Sequence, residues 1–110
     1  MITRPRTLAL ALLSVGLSTG VLPVRAESDP ANGGRLADEH CTRCHDVSAD
    51  GGFKRHPPSF AAIAVYRSPE QIHGRIAFPP LHSSMPGIGY LLTPENIEDL
   101  VAYIVSLDGR

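Results

Sequence analysis

Both cysteines of the chain fall in the stretch EHCTRCHDV, at Cys41 and Cys44, and His45 follows the second directly. No other feature narrows the fold as far, because two thiols and an imidazole so close together serve few chemistries. A disulfide across so short a loop restricts the unfolded chain very little. A thioredoxin-type dithiol needs a βαβ setting, and no alternating stretch long enough for a strand is present. Zinc takes about four ligands. Two of His40, His45, His56, His73 and His82 would have to join the cysteines, without a second paired cluster to supply them. Covalent haem attachment uses every position. The thiols lie almost one helical turn apart, so both reach the two vinyl groups at one porphyrin edge. That tether carries His45 beneath the ring, where an imidazole binds iron.

The N-terminal segment agrees with that chemistry. Arg4 and Arg6 precede the apolar run LALALLSVGL, and PVRA ends it with Pro23 and the small residues Val24 and Ala26. This is the pattern of a cleaved export signal over residues 1–26. The run is short of the roughly 20 residues that cross a bilayer as a helix, so an uncleaved anchor is the weaker reading. Export fits haem c, which bacteria attach outside the cytoplasm. Residues 27–110 then form one small domain with seven basic and eleven acidic residues, a net charge of −4. That balance excludes a polyanion binder such as a nucleic-acid protein. Three Tyr, three Phe and no Trp are a thin supply for a core in so small a domain, which usually needs a metal, disulfide or cofactor.

The rest of the chain reads as helices and loops. Ser28 or Asp29 caps a first helix with Pro30 at its first position, and Leu36, Ala37 and His40 follow at helical spacing. Gly33 and Gly34 are costly there, about 1 kcal/mol each relative to Ala. Either they mark a frayed start or another helix comes close. A second helix starts near Ser59 in SFAAIAVY. A third starts at Ser68, with Pro69 next and Gln71 at capping-box spacing, and runs to about Ala77. FPPLHSSMPGIGY is a proline- and glycine-rich loop. Thr93 and Pro94 open a last helix, in which Ile97, Leu100, Val101, Ile104 and Val105 follow an apolar helical pattern. The domain is expected to be all-α.

Iron held by His45 has one axial position left. Met85 is the only methionine after the leader and sits in the loop HSSMPGIG. A lone methionine is often core filler, but one in such a loop is off any helical face. Met85 is therefore the expected second ligand, and His82 is its competitor. His40, His56 and His73 read as surface residues.

An N-terminal helix running into CTRCH, the stretch PPSFAAIA, the loop MPG and the closing ENIEDLVAYIVSL together resemble the small monohaem class I cytochromes c. The likeness covers residues 29–107. It implies about four short helices wrapped around one covalent haem, with the first and last helices crossing. In that family a glycine at the place of Gly33 permits the crossing, and Leu100 and Tyr103 match the partner positions. An aromatic common four residues after that glycine is replaced here by Ala37. The family's proline carbonyl that accepts from the haem histidine maps to Pro57 or Pro58. With His45 and Met85 both bound the iron is closed to small ligands. The thioether favours the ferrous state and raises the potential, while Phe60, Ile63, Ile88, Leu92 and Leu100 keep water out.

What the resemblance implies is a periplasmic one-electron carrier rather than an enzyme, with redox proteins as donor and acceptor and no membrane insertion once the leader is removed. The alternatives are an electron-transfer subunit of a periplasmic dehydrogenase or oxidase and, further off, a haem sensor or enzyme with a labile sixth ligand.

Overall fold

Each helix begins at a capping side chain. In the computed structural model, which describes residues 20, 26–53, 56–80 and 84–109, α1 spans Pro30–His40, and the Asp29 carboxylate accepts from the backbone N–H groups of Ala31 and Asn32. Helix α2 spans Phe60–Tyr66 and is capped by Ser59, a buried side chain that accepts from Ala62 N–H at 3.2 Å. Helix α3, Pro69–Ala77, carries the full capping box, with Ser68 and Gln71 each accepting from the other's backbone. Helix α4, Pro94–Ser106, is capped by Thr93. Such caps are worth about 0.5–2 kcal/mol each. Proline at the first position of α1, α3 and α4 loses no hydrogen bond, because that N–H has no partner inside a helix. The expected leader, residues 1–26, lies outside the described residues apart from 20 and 26.

The core lies where α1, α2 and α3 meet α4. Leu36 and Ala37 of α1, Phe60 and Ala64 of α2, and Ile72 and Ile76 of α3 pack with Ile97, Leu100, Val101 and Ile104 of α4. Phe60, Leu92 and Leu100, expected to exclude water, are buried; Ile63 and Ile88 are half-buried against them. Val105 breaks the expected pattern. It is 39 % exposed, because eight residues advance a helix about 80° past two full turns and carry it off the stripe begun at Ile97.

Gly33 is buried where α1 meets α4. A Cβ placed on it would collide with the Asp99 carbonyl of α4 and lie 2.8 Å from Tyr103 Cβ. The close-approach reading of this glycine is therefore the right one, and the crossing is tight despite Ala37. The aromatic partner of Tyr103 comes instead from α2, with the Phe60 ring 6.5 Å away. Asp99 also ties the two helices electrostatically, accepting from the backbone N–H of Asp29 and from Asn32 Nδ2, both at 2.7 Å.

The loop after α3 is more ordered than its composition suggests. Ile88–Leu91 forms a 3₁₀ turn that rests on the end of α3, where a Cβ at Gly89 would sit tightly, 3.0 Å from the Ala77 carbonyl. The prolines of this loop end at Pro86, so the residues that follow retain the N–H groups a turn requires. The molecule is all-α, with four helices and no strand among the described residues.

Candidate functional site

Helix α1 ends where the cysteines begin. Cys41 is its C-cap residue and its N–H donates to the Ala37 carbonyl. The chain then turns, with the N–H groups of Cys44 and His45 both donating to the Cys41 carbonyl, at 3.2 and 2.9 Å. The turn brings two thiols and an imidazole to one end of α1. The thiols are not joined to each other; Cys41 is buried and Cys44 exposed. Burial pushes the Cys41 thiol up to about 11, so at neutral pH the free side chain is a neutral sulfur. A thioether carries no proton and no charge, and suits that buried place.

His45 is held from the far side of its ring. Its Nδ1 lies 2.7 Å from the Pro58 carbonyl oxygen. A carbonyl only accepts, so Nδ1 carries the proton and, in the neutral ring, Nε2 keeps its lone pair for a metal. Of the two prolines open from the sequence, Pro58 is the acceptor. The bond orients the imidazole and increases its basicity. Phe60 stands 5.4 Å from the His45 ring and supplies an apolar wall.

Among the described residues no three His, Cys, Asp or Glu side chains converge to hold a bare metal ion. A single imidazole beside two free thiols suits an iron that brings its other ligands in a porphyrin. Next to Pro58 opens a cavity of about 560 Å³, lined by Phe53, His56, Ala62, Ile63, Tyr66 and Arg67 besides the proline itself. Its lining is mainly apolar, with the Phe53 and Tyr66 rings meeting edge-on at 6.2 Å. None of Cys41, Cys44, His45 and Met85 lines it, so the cavity does not mark where a ring tethered by those residues would lie. The chain's own chemistry fits haem.

Met85 is half-buried in the loop just ahead of the 3₁₀ turn. Its competitor His82 lies outside the described residues. His56 is exposed as expected. His40 and His73 are partly exposed surface side chains beside carboxylates: His40 Nε2 lies 3.7 Å from Glu39, and His73 Nε2 3.4 Å from Glu98, linking α3 to α4.

The role of Tyr103 went beyond what helical spacing showed. Its hydroxyl donates to the Val47 carbonyl at 2.7 Å, across 56 positions of sequence. The sequence placed Tyr103 at the helix crossing through the family resemblance, with no sign of its partner Val47. Burial and the charge of Asp38 raise the Tyr103 phenol above its usual value. An acid group raised on folding contributes stability that is whole below the unfolded value of about 10 and is lost as pH climbs through the higher folded value. Denaturant melts of the haem-loaded protein should therefore show stability falling above about pH 10, with a shallower fall in Tyr103→Phe. An identical alkaline slope in the two proteins would contradict this.

Comparison with curated proteins and with solved structures finds no match. A family model described as cytochrome c oxidase, cbb3-type, subunit III matches residues 28–104, from just before the cap of α1 into the last turns of α4. The chain thus belongs to this family of c-type cytochrome domains, and its cofactor is a covalently attached c-type haem.

Proposed function

We propose that this protein is a periplasmic one-electron carrier, with Cys41 and Cys44 fastening the haem as thioethers and His45 and Met85 as its axial ligands. The observation that carries the reading is the His45–Pro58 bond, which presents a lone pair at Nε2 directly after the two free thiols. When bound, haem supplies a metal that gains and loses one electron; the protein supplies ligands and surroundings. Cys41 and Cys44 fix one edge of the ring. The Pro58 carbonyl accepts from the Nδ1 proton, so the imidazole keeps one tautomer. Phe60, Leu92 and Leu100 exclude water, and Ile63 and Ile88 flank them. A Met85 ligand closes the remaining position, which favours electron transfer over small-molecule chemistry and raises the potential.

Residues 1–26 are the proposed export signal and 27–110 the working domain. Among the described residues no helix is long and apolar enough to cross a membrane. Donor and acceptor are redox proteins. A second reading, as an electron-transfer subunit, has support from the family's description as an oxidase subunit.

A reduced-minus-oxidised spectrum of the exported protein, with haem staining after denaturation, tests the proposal. The expected result is a c-type spectrum, stain that survives denaturation, and no carbon monoxide binding by the intact ferrous form. Colourless protein, or ready carbon monoxide binding, overturns it. Isolation under gentle conditions separates the two readings: a free carrier elutes alone, a subunit with its dehydrogenase or oxidase.

A further inference from the structure

The chain leaving His45 is tied down by residues far along the sequence. The N–H of Phe60 donates to the Asp46 carbonyl at 2.9 Å, and the Tyr103 hydroxyl donates to the Val47 carbonyl at 2.7 Å. Val47 is buried and belongs to the core. The Tyr103 side chain also reaches two helices. A Cβ on Gly34 of α1 would lie 3.2 Å from its ring, and the Phe60 ring of α2 is 6.5 Å away, itself 5.4 Å from the His45 imidazole. One side chain of α4 thus touches α1, α2 and the loop that carries the histidine.

We infer that Tyr103 is a positioning residue for His45: its hydroxyl holds the backbone two residues beyond the histidine, and its ring backs Phe60 against the imidazole. The docking of α4 then sets the direction in which Nε2 points. The Pro58 bond alone fixes one atom of the ring and leaves the ring free to swing about that contact. The backbone that carries the side chain is restrained at His45 and Asp46 by bonds to Cys41 and Phe60, and two residues beyond the histidine by the Tyr103–Val47 bond. Without the hydroxyl, a buried carbonyl loses its donor and the loop must shift to find another. This inference rests on His45 as the iron ligand.

The competing role is purely structural: Tyr103 docks α4 and does nothing for the histidine. Haem-loaded, full-length Tyr103→Phe and Ile104→Val separate the two. Ile104 neighbours Tyr103 on α4 and is buried in the core. Global stability is read by denaturant melts, and local order by hydrogen exchange of the His45 Nδ1 proton in the ferrous protein by NMR. Both variants should be less stable than wild type. Only Tyr103→Phe should speed Nδ1 exchange, by roughly fivefold, the factor that one net hydrogen bond carries. Unchanged exchange in Tyr103→Phe, or equal acceleration in both variants, overturns the inference. If Tyr103→Phe fails to load haem, Phe60→Leu, which removes the ring between Tyr103 and His45, must show the same split. Wild-type protein that lacks haem, or whose iron is not bound by His45, fails the functional reading itself, before any variant is compared.

Discussion

Gly33→Ala should separate α1 from α4 and lower the melting temperature by on the order of 10–20 °C. The new Cβ would overlap the Asp99 carbonyl and lie 2.8 Å from Tyr103 Cβ. A carbonyl in the middle of a helix cannot rotate aside, so the helices must part, and the core between them opens. Overpacking of this kind costs about 1–3 kcal/mol and sometimes more. The clash here is with backbone, which puts the cost at the upper end, against a total stability of about 5–15 kcal/mol. Gly34→Ala is the internal control. Its Cβ would meet only the edge of the Tyr103 ring, at 3.2–3.7 Å, and helix propensity returns about 1 kcal/mol, so the net change should be small. Thermal melts of the two haem-loaded variants decide the matter. A Gly33→Ala protein that melts with the wild type would mean that the crossing is not as tight as described.

Met85→Ala should convert a closed iron into one that binds carbon monoxide. If the Met85 sulfur holds the sixth position, its removal leaves a vacancy that alanine cannot fill, and an external ligand enters without competition. Three changes should appear together: carbon monoxide binding by the ferrous form, loss of the long-wavelength thioether-to-ferric-iron band, and a fall in potential on the order of tenths of a volt, within the range of about 0.8 V that axial ligands span. The helices should be unaffected, since Met85 lies between α3 and the 3₁₀ turn, outside the core cluster. His82→Ala should leave all three readouts as in wild type. The reverse result, with carbon monoxide binding in His82→Ala and none in Met85→Ala, would move the ligand to His82.

The proposed site rests on a local pattern in the sequence. Cys41, Cys44 and His45 lie within one turn of chain, so a haem-attachment spacing could be read without any fold. Caps are equally local: Asp29, Ser59, Ser68 and Thr93 each satisfy N–H groups two or three residues ahead; Ser68 and Thr93 could be read before any fold was known, whereas the first cap stood open between Ser28 and Asp29. The 3₁₀ turn at Ile88–Leu91 was not legible, because its support comes from the end of α3 rather than from its own residues. Val105 misled because an apolar residue at the right count can still fall off the buried stripe.

By itself, then, the sequence determined the helices, their starts, the all-α class and the residues suited to receive a haem, since each depends on neighbours within about a turn. Gly33 stood open between a frayed start and a close approach until α4 was placed against it. Pro57 and Pro58 were equivalent candidates until one carbonyl came within hydrogen-bond reach of His45. The Tyr103–Val47 bond, across 56 positions, had no counterpart in any local pattern. Contacts of that kind arise only when the chain has closed on itself, because which distant groups meet depends on how all the helices pack at once.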